Sequence, residues 1–169
     1  MRARPVRRPL LLIAVAVALA ASAACSSAGE QVSEKIAEQA QKTLKLSEQP
    51  PTTCPDDAKA KKGAKFDCTL TIEKTTVSVG VVFTDDTHFT FTPQAQVFEK
   101  PTLLTNLKTY ATGQEITLKT VDCPGTKYVV IPNGKTVDCP ATDDTGEKGT
   151  FVVGLDETGN PVVKSVKQG

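Results

Sequence analysis

The stretch Cys54–Cys68, CPDDAKAKKGAKFDC, carries two cysteines that enclose thirteen residues. A related stretch, Cys123–Cys139, reads CPGTKYVVIPNGKTVDC. Both begin with Cys-Pro, end with Asp-Cys and place a glycine five positions before the second cysteine: Gly63 in the first stretch and Gly134 in the second. This correspondence indicates an internal repeat, which predicts two small domains built on one plan.

The four cysteines of these stretches allow three disulfide connectivities, and spacing alone does not choose among them. Because repeated units are expected to carry the same internal bond, we predict the pairs Cys54–Cys68 and Cys123–Cys139. Zinc sites favour cysteines separated by two to four residues, and thioredoxin-like redox sites use Cys-x-x-Cys. Neither spacing occurs here, so the sequence predicts no metal site and no cofactor.

The N-terminus reads as a secretory signal. A basic start with four arginines precedes the apolar run 10–24. This run of fifteen residues is short for a membrane span, which needs about 20 residues. We therefore expect residues 1–24 to be a signal peptide.

The residues that end this segment resemble a bacterial lipobox, in which a cysteine receives a diacylglyceryl thioether and becomes the new N-terminus. Ala23 and Ala24 stand directly before Cys25, whereas Ser22 replaces the usual leucine. The resemblance implies that Cys25 carries a lipid, palmitate included, and anchors the chain to the outer face of the cell membrane. The alternative is an ordinary signal or an uncleaved anchor, with Cys25 left over.

Removal of the signal changes the charge balance. It would remove every arginine and leave 145 residues with 16 basic and 19 acidic side chains, a net charge of about −3. An acidic chain without arginine is poorly suited to nucleic acid, which requires clustered positive charge. Export would also place the remaining cysteines where disulfides persist.

Hydrophobic periodicity predicts the same order of elements twice. In the first unit a helical stripe over 30–46 is stopped by the following prolines, and alternating runs at 65–72, 75–83 and 88–92 read as strands. In the second unit a helix over 100–113 precedes alternating runs at 116–123, 135–139, 148–156 and 160–166.

The predicted fold class is therefore α+β, with two tandem repeats, each one helix packed on a four-stranded antiparallel sheet. We expect the lipidated Cys25 and a flexible tether at 25–29, a first domain at 30–97 and a second at 98–169.

The residues that carry the repeat resemble an actinobacterial, Mycobacterium-like lipoprotein family, domain of unknown function 4333. A helix leads to Cys54-Pro55, then Gly63 and Cys68, behind a lipobox. The second unit has the same pattern of Cys-Pro, glycine and second cysteine, with two more residues between its cysteines. The resemblance implies a cell-envelope location and the same disulfide pairing; the family has no assigned activity, so the resemblance implies no particular chemistry. The tandem topology is also similar to that of the beta-lactamase inhibitor protein, and fold alone does not carry function.

Several polar residues are candidates for chemistry. His88 is the lone histidine and is expected to face solvent from a strand edge, because it alternates with two phenylalanines. The pairs Asp85-Asp86 and Asp143-Asp144 offer carboxylates for acid–base work or calcium, but they lack the spacing of a calcium loop. Aspartate is also a common turn residue, which is the interpretation we favour.

The two disulfide loops are the candidate interaction surface. The first holds Lys59, Lys61, Lys62 and Lys65, which suit anionic headgroups or an acidic glycan. The second holds residues 128–131, an apolar patch if they stay in the loop. The alternatives are a solvated lysine loop and an apolar run that lengthens a strand or packs on the neighbouring unit. The apolar candidates are Tyr128, Val129, Val130 and Ile131.

The sequence thus predicts an exported, lipid-anchored binding protein without catalytic activity. Its expected partners are the membrane, through Cys25, and an envelope protein or glycan, with the sheet faces left open by the helices as the natural surface. The alternative is an inhibitor or regulator of an envelope enzyme that inserts residues 128–131. A hydrolase is the third hypothesis, and it requires a cleft near Asp85, Asp86 or His88.

Overall fold

The chain folds into two α+β units, each with one helix on an antiparallel sheet, as the sequence predicts. The computed structural model describes residues 17–18 and 27–169. Cys25 and the predicted cleavage site lie outside the described residues.

The described elements run in chain order as two helices and eleven strands. They are β1 (Val17–Ala18), α1 (Ala28–Leu44), β2 (Thr52–Thr53), β3 (Lys65–Ile72), β4 (Thr75–Phe83), β5 (His88–Pro93), β6 (Ala95–Glu99), α2 (Lys100–Gly113), β7 (Leu118–Val121), β8 (Tyr128–Pro132), β9 (Val137–Asp143), β10 (Lys148–Leu155) and β11 (Pro161–Gln168).

Helix α1 begins earlier than its apolar stripe suggests. The Ser27 side chain accepts a hydrogen bond from the Glu30 amide, and the Glu30 carboxylate accepts one from the Ser27 amide. This reciprocal capping box satisfies two amides at the helix start. The prediction of a flexible tether through residue 29 is therefore wrong for Ala28 and Gly29, which are helical.

The first sheet has the strand order β1-β5-β4-β3-β2, with all neighbours antiparallel. Its inner face alternates as predicted, and α1 covers that face with Val32, Ile36 and Ala37. Tilted phenylalanine rings fill the core, with the centroids of Phe83 and Phe89 5.6 Å apart.

The second sheet has the order β11-β10-β9-β7. Helix α2 spans the residues that the sequence predicts and buries Leu103, Leu107 and Ala111. Pro101 lies in its first turn, where its missing amide proton costs no hydrogen bond.

A separate pair of strands, β6 and β8, lies between the units. The predicted boundary between residues 97 and 98 falls inside β6. The reason is that β6 serves both cores: Ala95 packs in the first core, and Phe98 packs against the second. The units are therefore joined by a shared strand.

Both predicted disulfides are present. Cys54–Cys68 ties the end of β2 to β3, with Cα atoms 4.2 Å apart. Cys123–Cys139 ties the segment after β7 to β9, with Cα atoms 4.3 Å apart. All four cysteines are buried. Each bond closes the corresponding loop of its repeat.

Candidate interaction surfaces

The lysine loop (residues 59–65) presents its four lysines to solvent while its alanines turn inward. All four lysine residues are exposed. Ala60 and Ala64 are partly buried and pack against the first core. The alternation of charged and small residues therefore makes this loop a basic surface with an apolar underside.

Backbone hydrogen bonds hold the lysine loop in place. The Gly63 amide donates to the Phe83 carbonyl at 2.9 Å, and the Phe83 amide donates to the Ala64 carbonyl at 3.0 Å. The Lys62 amide donates to the Asp86 carboxylate at 2.9 Å. These bonds fix the loop to the end of β4. The Asp86 carboxylate contributes by accepting a backbone hydrogen bond from the loop.

The start of α1 packs against the same disulfide loop. A Cβ added at Gly29 would lie 2.4 Å from the Pro55 carbonyl oxygen and 3.6 Å from the Ala58 Cβ. Real Cβ atoms do not approach a backbone oxygen this closely, so only glycine permits the contact. The chain that enters α1 and the lysine loop therefore lie at the same end of the first unit.

The apolar half of the candidate surface is not exposed. Tyr128, Val129 and Ile131 are buried, with at most 5% of their surface accessible, and Val130 is partly buried. These residues form β8, which pairs with β6 in the register Val97 opposite Val130. Of the two interpretations, the exposed patch is wrong, and the favoured alternative, a run that forms a strand and packs on the neighbouring unit, is the one observed, because pairing with β6 draws the run between the two cores.

The Glu73 carboxylate connects the units. Glu73 lies at the turn between β3 and β4, with a left-handed φ of 53°. Its oxygens accept hydrogen bonds from the amides of Thr126 at 2.6 Å, Lys127 at 2.5 Å and Tyr128 at 3.1 Å. The Thr126 amide is the largest cause of a lowered Glu73 pKa, with the other two amides and the charge of Lys100 adding to it.

A tight turn presents the three amides that donate hydrogen bonds to Glu73. A Cβ added at Gly125 would lie 1.9 Å from the Tyr128 carbonyl oxygen, so this approach requires glycine. The Lys100 ammonium donates to the Gly125 carbonyl at 2.7 Å and pairs with Asp122 at 2.7 Å. That ion pair is the main cause of a lowered Asp122 pKa. We call this set the interunit junction: Glu73, Lys100, Asp122 and residues 125–128.

Tyr128 makes a second link across the junction. Its hydroxyl donates to the carbonyl of Leu44, the last residue of α1, at 2.9 Å. Its ring packs in the first core. A residue from the second disulfide loop thus completes the first unit, and it satisfies one of the carbonyls that a helix C-terminus leaves free.

The aspartate pairs serve turn chemistry. In three hairpin turns an aspartate oxygen accepts from the amide and the hydroxyl of the threonine two residues later. The aspartates are Asp85, Asp143 and Asp156. Hydrogen bonds to these groups lower the pKa of each; the leading donor is the Thr87 amide for Asp85, the Thr145 hydroxyl for Asp143 and the Asn160 amide for Asp156.

His88 belongs to the first of these turns. Its Nδ1 lies 2.8 Å from an Asp85 oxygen, and its side chain is 43% exposed. Asp143 and Asp156 form the same turn without a histidine. The contact between Asp85 and His88 is therefore not required for this type of turn. The grooves described below are not lined by Asp85, Asp86 or His88.

Each unit carries a groove on its sheet, which the C-terminal part of α1 borders in the first unit and the segment after α2 borders in the second. The first-unit groove has a volume of about 140 Å³ and is lined by apolar residues that include Leu44, Leu70 and Phe91. The second-unit groove has a volume of about 200 Å³ and is lined by Ile116, Phe151 and Val166 with charged residues at its rim. These grooves are the apolar surfaces on which a ligand or partner can act.

The uncovered face of the first sheet is a third surface, and it is shallow. A depression there is lined by Asp67, Thr92 and Gln94 together with Val82, which is 36% exposed. Within residues 17–18 and 27–169, no group of three or more His, Cys, Asp or Glu side chains is placed to hold a metal ion. In that same part of the chain, no helix has the length and apolarity that crossing a membrane requires.

These observations define a tandem, disulfide-linked α+β protein whose two units share a strand pair. The sequence profile of the family described as "Domain of unknown function (DUF4333)" matches residues 12–87, which include α1, the lysine loop and β2 to β4. No curated protein matches the chain. No solved structure matches it either.

Sequence reasoning missed the junction. Glu73 reads as an ordinary turn residue, and nothing in its neighbourhood indicates a partner more than fifty positions away. A signal was available for Tyr128, because an apolar run with an aromatic residue in a short loop is unusual in a solvated position. The third aspartate turn was detectable from the repeated Asp-x-Thr pattern at Asp156.

Proposed function

We propose that the protein is an exported lipoprotein, acylated at Cys25 and held on the outer face of an actinobacterial cell membrane, that acts by binding and not by catalysis. The N-terminal pattern, the two disulfides and the DUF4333 match over residues 12–87 support this proposal. Its expected partner is an envelope protein, with a glycan as the weaker candidate.

One observation carries the proposal: the contact between Gly29 and Pro55. Because this contact places the entry of α1 beside the lysine loop, a lipid at Cys25 would hold the four lysines near the membrane. The two chains of a diacylglyceryl group already give stable anchoring, and basic residues beside them would add attraction to anionic headgroups. Each lysine near an anionic surface contributes about 1 kcal/mol. Asp56 and Asp57 lie in the same disulfide loop and reduce that attraction.

Mass spectrometry of the N-terminal peptide from native membranes tests acylation. A diacylglyceryl mass on Cys25 is the expected result, and Cys25→Ala should abolish it and release the protein from the membrane fraction. Ser26→Ala is the matched control and should leave both unchanged. An unmodified Cys25 in membrane-bound protein would contradict the proposal.

The inhibitor hypothesis has lost its inserting element, because residues 128–131 are buried between the units. The hydrolase hypothesis depended on a cleft near the aspartates and His88, which instead form an exposed turn. An activity screen on ester, amide and glycoside substrates would overturn the binding proposal if hydrolysis were abolished by His88→Ala or Asp85→Asn.

A further inference from the structure

The strand pairings define which positions of the two units correspond. Val79 lies opposite Cys68 on one side and Pro93 on the other. Phe151 lies opposite Cys139 on one side and Val166 on the other. Since Cys68 and Cys139 are equivalent cysteines of the repeat, Val79 corresponds to Phe151 and Pro93 corresponds to Val166.

The two grooves occupy the same place in the repeat. Val79 and Pro93 line the first-unit groove, and their counterparts Phe151 and Val166 line the second-unit groove. Each groove also borders the end of its helix or the segment just after it, at Leu44 in the first unit and Ile116 in the second. What borders the first groove is therefore a guide to what can border the second.

The chain itself forms one wall of the first groove. Strand β6 contributes Ala95, Gln96 and Val97 to its wall. Beside it the Tyr128 hydroxyl bonds to the end of α1 at Leu44. A strand pair thus borders the first groove, and its aromatic residue bonds through a hydroxyl to Leu44, which lines the groove.

The second groove has apolar side chains open to solvent in the part of the chain that the structure describes. Tyr110 is 41% exposed, Ile116 is 39% exposed and Val166 is 46% exposed. Ile116 and Val166 line the groove, and the Tyr110 ring packs edge-on against Phe151 at 6.2 Å. Of the large apolar side chains that are exposed in the described residues, only Val82 lies elsewhere. Such clustering marks an interaction site.

Size and charge favour a protein as the occupant. A pocket for a drug-sized molecule has a volume of about 300–1,000 Å³, and the second groove has about 200 Å³. Roughly 150 Å³ holds one benzene ring, so one aromatic side chain fits. The lining also includes charged residues of both signs, at Asp143, Glu147, Lys148 and Lys167. An apolar centre with a mixed polar rim is typical of protein–protein interfaces.

We propose that the second-unit groove docks a strand of a partner protein, which takes the place that β6 holds in the first unit and sets an aromatic side chain against the end of α2. The site rests on the proposed function only in that the protein acts by binding. It lies at the end of the second unit that corresponds to the junction end of the first. When the two units are compared position by position, the partner-binding groove of the second and the lysine loop of the first therefore lie at opposite ends.

Photo-crosslinking in intact cells tests this site on the full-length chain. Benzoylphenylalanine replaces Ile116 or Val166 in the groove, or Val82 on the first sheet as the control. The expected result is one protein adduct from both groove positions and none from Val82. Peptide mapping should place the partner's crosslink in a strand within two residues of Tyr, Phe or Trp.

A charge introduced at the rim gives the matched test. Ile116→Asp should lower the adduct yield from position 166 roughly tenfold, which corresponds to about 1.4 kcal/mol. Val82→Asp should leave it unchanged, and thermal unfolding shows whether both variants fold. Equal yields from groove and control positions, or adducts with lipid alone, would overturn the proposal. An adduct of two copies of this chain would assign the groove to self-association instead. Acylation of Cys25 is measured on the same samples, so its failure is scored separately.

Discussion

The hydroxyl of Tyr128 donates a hydrogen bond of 2.9 Å to the carbonyl of Leu44, and it thereby joins the second disulfide loop to the C-terminus of the first helix. The residue is 5% exposed. Together with the hydrogen bonds to Glu73, it joins the two repeats, although the sequence pattern predicts two separate domains.

Tyr128→Phe should destabilise the protein by about 0.5–1.5 kcal/mol, the net value of one hydrogen bond. Tyr128→Ala should cost about 3–5 kcal/mol because it also leaves a cavity in the first core. Chemical denaturation measures both values. Tyr110→Phe is the control, since its ring is 41% exposed and should change little. A Tyr128→Ala protein as stable as the parent would contradict the role of the junction.

Glu73 makes the junction sensitive to acid. Its pKa is lowered below the ordinary value of 4.5, so the folded state prefers the ionised carboxylate. The stabilisation is present above pH 4.5 and is lost as pH falls through the lowered pKa. Glu73→Gln should therefore reduce stability at pH 7 and abolish this part of the pH dependence. Unfolding curves between pH 7 and pH 3 test it, with Glu157→Gln as a surface control. Identical pH profiles of stability for both variants would show that Glu73 does not contribute to the pH dependence.

Gly125→Ala should disrupt the turn that presents amides to Glu73, because the new Cβ would meet the Tyr128 carbonyl at 1.9 Å. We expect a loss of about 2–4 kcal/mol, comparable with other forced steric conflicts. Gly113→Ala is the control, since nothing lies within 4 Å of a Cβ built there. Heteronuclear NMR should show the largest shifts at the amides of residues 126–128, and unchanged shifts there would refute the mechanism.

Each disulfide should supply a similar stabilisation. The bonds link residues 14 and 16 positions apart, and closing a loop of this length contributes about 3 kcal/mol in the chain-entropy model. Replacing both members of one pair by serine should therefore lower the stability by about that amount. Because the units share β6 and the junction, loss of either pair should weaken both. Two separate transitions in calorimetry of the parent protein would show instead that the units unfold independently.

The lysine loop should bind anionic membranes weakly without the lipid. The Cys25→Ser chain should sediment with vesicles that contain phosphatidylglycerol but not with pure phosphatidylcholine. Replacing Lys59, Lys61, Lys62 and Lys65 by glutamine should remove this binding, and 0.5 M salt should do the same, because surface electrostatics are screened over a few ångströms at high ionic strength. Four glutamines at Lys108, Lys119, Lys148 and Lys164 are the charge-matched control. Equal losses from both variants would indicate a net-charge effect.

Local patterns predicted most of the fold. The strands 65–72 and 75–83 and the helix 100–113 were read from hydrophobic period and turn residues, and the structure has the same bounds. Both disulfides were predicted because the repeat relates equivalent cysteines. These features depend on residues close in sequence or on internal symmetry, which a single chain contains.

Features that depend on contacts between the units were not predictable in the same way. Strand β6 has no turn signal to set it off from β5, and β8 was one of two interpretations of an apolar loop. The burial of β8 follows from pairing with β6 more than thirty positions earlier. Glu73 accepts hydrogen bonds from backbone amides, which every residue type except proline offers, so no side-chain pattern indicates its partner.

The contribution of β6 and Tyr128 to the first core has a consequence for biogenesis. A chain that crosses the membrane from its N-terminus delivers α1 and the first sheet directly before β6 but well before Tyr128, and the first core includes residues of both. The N-terminal half therefore emerges with an apolar core that is still incomplete. On the proposed export route, folding would be completed late in translocation, and the interval before residue 128 appears is when an extracytoplasmic chaperone would have a substrate.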